Sequence, residues 1–570
     1  MEVPDLLSVS SSKDGSTIPM RKFAPQNIVY RIKQREISTY PCGSTWSKLR
    51  KFHQCIIPNF TVVNVGQPPC YLRKFSPDGK YFIVFSADQT FVEVYEYQGC
   101  HAAEKMLRSL DGNELHENSG GRNNFQFKEF YQKIREKLFS TFFIRKHQIS
   151  VAMEGHNLNR ECSLFTDDGR YVIVVSAGVV PTNPQPPFYD IYSNNESMSP
   201  NPRHPLEDYS IHCVGLVSGV LQSSVHFKCD KIFPSHNQGL YLYKNILSVL
   251  SVQHQTIHIF CVVDGQLVQT HKIGRFCFDD DEMQVASHSQ QASDYELRRP
   301  FHDVIFNSLK HRLLAYLYKD AARRGNESIQ RFYQHFDFFE DLRIWRMQLL
   351  DEDHLLIKYA SVDVVGIRIQ EPNAQPSCFV VYNFRTAQVL AVYENTSHYL
   401  LKIFEDHPGI FRQADAIRGQ HHTACPDVYS SQIQQRFKDT IVNAKYGGNT
   451  EAVKRLLAQL PIPAQSHSPS PYLDLALFSF DDKWVSSIER PKSSSDYPIR
   501  FYSRDSGLLK FQIRAGMMSG TATQSSSQRR LVAFTFHPHE PFAISVQRIN
   551  VATGVAEYVV NFHFRHFPLG

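Results

Sequence analysis

Short apolar runs of strand-forming residues recur along the chain, and several are entered through the same kind of polar corner. Phe75-Ser76-Pro77-Asp78-Gly79-Lys80-Tyr81 leads into Phe82-Ile83-Val84-Phe85-Ser86, and Phe165-Thr166-Asp167-Asp168-Gly169-Arg170-Tyr171 leads into Val172-Ile173-Val174-Val175. Phe478-Ser479-Phe480-Asp481-Asp482-Lys483-Trp484 and Phe536-His537-Pro538-His539-Glu540-Pro541-Phe542 keep the same spacing, a leading Phe and an aromatic six residues on. Proline fixes φ, an aspartate carboxylate bonds amides of its own turn, and glycine takes positive φ, so the corners predict tight turns between strands. Their recurrence predicts a repeat architecture.

Alternating or continuous apolar segments predict further strands at 60–65, 91–97, 209–216, 221–227, 240–252, 255–263 and 267–273. The last two are joined by Asp264-Gly265, a hairpin dipeptide. Strand text resumes at 364–369, 377–383 and 389–394, and again at 500–502, 508–513, 532–536, 543–547 and 558–563. Elsewhere the period changes. Phe127, Phe130, Tyr131, Ile134 and Leu138 share one helical face. Ile433, Phe437, Ile441 and Ala444 form a second stripe; Ala452, Val453, Leu456, Leu457 and Leu460 form a third, opened by Thr450-Glu451 after Gly447-Gly448. These two predict a helical hairpin over 432–460. The proline-rich stretch 180–205 is expected to be a surface loop without regular structure.

Gly155-His156 stands ten residues ahead of Phe165, where WD-type repeats carry such a pair, although no Trp-Asp dipeptide occurs in the chain. The expected fold is therefore mainly β: a degenerate WD-like β-propeller over 50–570, interrupted at about 101–150, 279–300, 319–343 and 397–464. A strand from one terminus is expected to complete the ring begun by the other. Ahead of it, residues 1–24 are Ser-rich and aperiodic, which predicts a disordered tail. Residues 25–40 are different: Ile28, Val29 and Ile32 make the apolar face of a short amphipathic helix whose other face carries Arg31, Lys33 and Arg35. A helix of about ten residues does not hold itself together in water. It must dock, either on its own domain or on a partner.

Composition sharpens this picture. Hydrophobic residues make up 42% and charged residues 21%, with 41 Phe and 27 Tyr, enough for a large aromatic core and incompatible with wholesale disorder. The net charge of +5 is dispersed, whereas a dedicated nucleic-acid binder shows a basic stripe. No two of the 11 cysteines lie closer than Cys42 and Cys55, so neither a zinc ribbon nor a redox pair can be written; buried free thiols in a reducing compartment are expected. No apolar run has signal-peptide or membrane-span length, so a cytosolic or nuclear location is the expectation.

Catalytic chemistry finds no foothold. The chain has no Gly-rich phosphate loop, nucleophile elbow, zinc-protease helix or kinase signature. His421-His422 with Cys425 lacks a second ligand pair, and Asp279-Asp280-Asp281-Glu282 lacks the alternation and glycine of a calcium loop. Asp167-Asp168 and Asp481-Asp482 sit in the corners, where carboxylates cap amides. A protein that is not an enzyme and holds neither metal nor cofactor is expected.

Five stretches carry a resemblance. Pro68-Pro69-Cys70-Tyr71-Leu72-Arg73-Lys74-Phe75-Ser76-Pro77-Asp78-Gly79, Leu158-Asn159-Arg160-Glu161-Cys162-Ser163-Leu164-Phe165, Ser235-His236-Asn237-Gln238-Gly239-Leu240-Tyr241-Leu242-Tyr243-Lys244, Arg436-Phe437-Lys438-Asp439-Thr440-Ile441 on to Gly448, and the corner at Phe536 closely resemble the De-etiolated family of nuclear proteins of plants and animals. The resemblance runs over about 27–566; the tail, the stretch near 109–124 and the acidic loop depart from it. It implies a non-catalytic substrate-receptor and scaffold subunit of a cullin-four RING ubiquitin ligase. Its implied partners are the damage-specific DNA-binding protein large subunit as adaptor, cullin-four, the small De-etiolated- and adaptor-associated protein, the constitutively photomorphogenic RING ligase and a ubiquitin-conjugating enzyme. The implied outcome is degradation of transcription factors. On that reading Ile28, Val29 and Ile32 enter an adaptor groove while Arg31 and Arg35 meet its acidic rim. The hairpin, with Arg436, Phe437, Lys438, Lys445 and Lys454, is either a buttress or a docking surface for the conjugating enzyme or second ligase. The competing reading is a chromatin-bound propeller that binds histone tails and represses transcription without ubiquitin transfer.

Overall fold

The computed structural model describes residues 52–107, 114–115, 125–274, 309–411, 435–513 and 529–566, with breaks of eight residues or fewer inside these spans. The expected tail, the helix at 25–40, the acidic loop at 279–300 and His421, His422 and Cys425 lie outside the described residues.

The protein is mainly β, and its strands form six sheets taken in chain order. The first comprises Cys70–Phe75, Tyr81–Ser86, Phe91–Tyr97 and Phe143–Ser150. The second is built on Tyr171–Val179, Glu207–Gly215 and Leu221–Asp230, with the short strands His156–Leu158 and Leu164–Phe165 both pairing Tyr171–Val179. Leu240–Tyr243, Ile246–Ser251, Thr256–Val263 and Gln266–Ile273 make the third; Leu342–Leu349, His354–Ser361, Ser377–Asn383 and Gln388–Glu394 make the fourth. The fifth has three described strands, Phe478–Ser479, Ile499–Ser503 and Leu509–Ile513. Arg529–Phe536, Phe542–Asn550 and Ala556–Phe564 begin the sixth; the N-terminal strand Phe60–Val62 joins it, pairing antiparallel with Ala556–Phe564 and, on its other side, parallel with the two-residue strand Glu114–Leu115. A strand from one end of the β region thus joins the sheet at the other, as the sequence predicts.

The corners show why the sequence folds this way locally. In the first, Ser76 N–H donates to the Tyr81 carbonyl (2.8 Å), Gly79 N–H to the Ser76 carbonyl (2.9 Å), and Lys80 N–H to Asp78 Oδ1 (3.1 Å). The second repeats this register: Thr166 N–H to Tyr171 O (3.1 Å), Gly169 N–H to Thr166 O (2.9 Å), Arg170 N–H to Asp168 Oδ1 (3.0 Å). In the corner at Phe536 a histidine takes the aspartate's part. His537 Nδ1 accepts from the amides of His539 (3.1 Å) and Glu540 (2.8 Å), which leaves Nε2–H to donate to the Gly79 carbonyl of the first corner (2.9 Å). Gly79 has φ +75°, and a Cβ there would stand 2.5 Å from the His537 ring. The residue must be glycine for backbone and for contact.

Around this contact the first and sixth sheets share one aromatic core. Phe60, Phe75, Phe82, Phe142, Phe143, Phe542, Phe562 and Phe564 are all buried in it, and Phe75 meets His537 at 4.9 Å and Phe82 at 4.7 Å between ring centres. Offset and edge-on aromatic pairs add about 1 kcal/mol each beyond the area they bury.

Several expectations need correction. Residues 240–252 are not one strand but two, because Lys244 takes φ 52° and turns the chain into a hairpin. Val364 lies in a helical turn, Val362–Val365, rather than a strand; β-branched residues do not by themselves select the sheet when tertiary packing buries both Val364 and Val365. The first interruption ends at Phe142, since Phe143–Ser150 is a strand of the first sheet. The third begins early, with helix Leu309–Arg324. In helix Phe125–Phe142, Phe130 is exposed, Tyr131 is half-buried against the core, and Ile134 and Leu138 are buried. The loop at 180–205 contains a helical turn, Phe188–Ile191, and a buried carboxylate: Glu196 pairs with Lys310 (3.4 Å) and Arg343 (3.2 Å).

Burial holds the imidazoles of His537, His212 and His563 down to about 4 and that of His258 to about 3. Each lies below the unfolded value of about 6.5, so the unfolded chain takes up protons first as pH falls. The stability these neutral rings contribute is complete above about pH 6.5 and is lost towards pH 4, on the order of 3 kcal/mol per ring at the acid end. Tm measured against pH should therefore fall between pH 6.5 and 4.5 and stay level from 7 to 8. A level Tm through the acid window contradicts this. Gly79→Ala and His537→Ala should each cost about 2–4 kcal/mol, and because both break one contact the double variant should lose clearly less than their sum in urea unfolding.

Candidate interaction surfaces

The expected helical hairpin is placed in part. Residues 438–442 are helical, helix Asn449–Leu457 follows, and Ile441, Ala452, Val453, Leu456, Leu457 and Leu460 are buried as the stripes require. The second helix packs with His398–Asp406, whose Ser397 hydroxyl caps Leu400 N–H at 3.3 Å, onto Leu356, Phe379 and Tyr393 of the fourth sheet. Gln348, fully buried in that sheet, locks the insertion from below: its Oε1 accepts from Ile462 N–H (2.9 Å) and its amide donates to the Phe411 carbonyl. This packing is that of a buttress. Lys438 and Lys454 are part-exposed; Arg436, Phe437 and Lys445 lie outside the described residues, as do Ile28, Val29, Arg31, Ile32 and Arg35.

A second surface was not legible as a site. Where the strand Cys70–Phe75, the turn ahead of Leu164–Phe165 and residues 489–490 converge, charged side chains gather from one strand and two connecting segments. Arg73 donates to the Glu161 carbonyl (2.7 Å) and to Ser163 Oγ (3.1 Å). Arg490 pairs with Glu161 Oε1 at 2.6 Å, and the Glu489 carbonyl accepts from Phe534 N–H (3.1 Å), which pins the segment to the sixth sheet. Burial lowers Arg73 to about 10 and Lys74 below its ordinary range, opposed by Glu161 and Glu489 for Arg73 and by Glu489 for Lys74. Exposed Arg160 lies over the Tyr71 ring at 4.1 Å. The only signal in the sequence was that Arg73-Lys74 and Arg160-Glu161 fall inside two of the five stretches singled out above; nothing in it joined them to Arg490.

A further cation is sealed inside the fourth sheet, with a half-buried arginine beside it. Lys358 is 1% exposed with its ammonium over Trp345 (4.8 Å) and Phe379 (5.1 Å), and burial lowers it to about 7; Arg346 lies over the same Trp345 at 4.4 Å. The thiols of Cys70, Cys100, Cys162, Cys213 and Cys378 are pushed up to about 12 by burial, which disfavours the thiolate form. Among the described residues no group of three potential ligands could hold a metal ion, and no helix is long and apolar enough to cross a membrane.

Fold and surfaces together define a mainly β protein of successive antiparallel sheets with helical insertions. The family model of De-etiolated protein 1 (Det1) matches residues 160–566, and the chain belongs to that family. It is 28% identical to the light-mediated development protein DET1 of Solanum lycopersicum over 561 residues, and 28% identical to that of Arabidopsis thaliana over 581. Both alignments cover 95% of this chain and 100% of the relative. Among solved structures, the β-propeller domain of Cps50 (Swd1) from Myceliophteria thermophila aligns with 87% of this chain and 98% of its own length, at 7% identity and a TM-score of 0.30, too slight a likeness to carry an argument.

The buttress generates a test. Leu457→Ala, which empties a fully buried position, should cost about 3 kcal/mol in urea unfolding, while Lys454→Ala on the same helix should stay within about 0.5 kcal/mol. Equal losses would show that the helix is not held by its apolar stripe.

Proposed function

We propose that the six sheets are blades of a degenerate β-propeller and that the chain serves as a non-catalytic receptor and scaffold subunit of a cullin-four RING ubiquitin ligase in the nucleus. Family membership along nearly the whole chain is the observation that carries this reading. On it, the helix at 25–40 seats Ile28, Val29 and Ile32 in a groove of the adaptor, the damage-specific DNA-binding protein large subunit, with Arg31 and Arg35 on the acidic rim. The insertions then present the small De-etiolated- and adaptor-associated protein, the constitutively photomorphogenic RING ligase and a ubiquitin-conjugating enzyme to a bound transcription factor. The sheets supply position rather than chemistry. The packing of the insertion over the fourth sheet is consistent with this, since a rigid insertion can hold a partner at a fixed distance from the propeller.

The test is co-purification. An Ile28→Asp/Ile32→Asp chain should lose the adaptor, and with it cullin-four, while keeping the Tm of the unaltered protein. Recovery of the adaptor at the unaltered yield would sink the proposed docking; loss of adaptor together with a lowered Tm would instead place the helix against its own sheets.

A further inference from the structure

We propose that the convergence of the first, second and sixth sheets is a docking site for an acidic, extended segment of a partner protein. The argument is one of charge and order. Arg73, Lys74, Arg160 and Arg490 gather there, and the carboxylates that act on Arg73 are Glu161 and Glu489. Glu161 is engaged by Arg490 at 2.6 Å, so the inner charges are largely spoken for. Arg160 stands outside that arrangement. The residue is exposed, its Cζ stands 4.1 Å from the centre of the Tyr71 ring, and it has no carboxylate partner among the described residues.

Stacking on an aromatic face holds an arginine in place while leaving its N–H fork open in the ring plane, the geometry suited to a carboxylate. Behind it the three cations Arg73, Lys74 and Arg490 are met by the two carboxylates Glu161 and Glu489, so the cluster with Arg160 remains net positive. A partner side chain of Asp or Glu therefore gains a directed, charge-assisted pair at Arg160 and a favourable field behind it. A lysine-rich tail meets like charge at the same place. The inference deepens the receptor reading and rests on it for the natural occupant, a substrate segment, but binding itself does not depend on ligase assembly.

The experiment uses the full chain and fluorescein-labelled hexaglutamate, read by fluorescence anisotropy. Binding is expected, with Kd rising at least tenfold in Arg160→Glu and severalfold in Arg160→Ala, and rising with salt between 50 and 300 mM as a surface ion pair must. Arg331→Glu, at an exposed position of helix Asn326–Gln334, makes the same change in net charge and should leave Kd within twofold. Because Arg160 is exposed, the variants should keep the unaltered Tm. Absence of hexaglutamate binding, equal weakening by Arg331→Glu, or preferential binding of hexalysine strengthened by Arg160→Glu would each overturn the proposal, the last in favour of a reader of basic tails. Loss of adaptor co-purification has no bearing on this readout, so failure of the ligase reading and failure of this site are separable.

Discussion

One buried hydrogen bond, from His537 Nε2–H to the Gly79 carbonyl, ties together corners 458 positions apart in the chain. Its physical setting explains its weight. The imidazole is spent on both sides: Nδ1 accepts two amides of its own turn, and Nε2–H has no water to fall back on if the first corner moves away. A buried group that loses its partner costs more than the bond contributed. Beside it the strand Phe60–Val62 pairs with Phe562 to Phe564, and a single aromatic core spans the two sheets. The entropy of bringing such distant segments together grows only as the logarithm of their separation, so a long chain closed on itself is thermodynamically affordable while its folding is slow.

This closure separates scaffold from surface. Among the described residues, Asp78, Asp168 and His537 bond amides of their own turns, and Cys162, Cys213 and Cys378 are buried within the sheets and their connections. Between the sheets lie the insertion packed over the fourth sheet and the charged residues where Arg73, Glu161 and Arg490 meet.

The sequence was readable where the cause of structure is local. Pro77, Asp78 and Gly79 form a turn whatever surrounds them, and Asp264-Gly265, with φ of 49° and 82°, makes the hairpin its residue types demand. The stripe Ala452 to Leu460 was equally plain, because a 3.6-residue period survives any tertiary context. Readability failed where the cause is remote. Val364 has the composition of a strand and is drawn into a helical turn by packing; Lys244 breaks a strand-like run with a positive φ that lysine does not advertise. His537 could be read as a turn residue, whereas its bond to Gly79 could not, since the two corners meet only through the whole fold. For the same reason Arg73, Arg160 and Arg490 each looked like an ordinary surface charge.

If the two ends of the β region are held as one unit, then native-state hydrogen exchange should find the same opening free energy for amides in Phe60–Val62, Cys70–Phe75 and Phe542–Asn550, close to that of global unfolding. Exchange of the sixth sheet at a much lower free energy than the first, with the first left protected, would contradict the account.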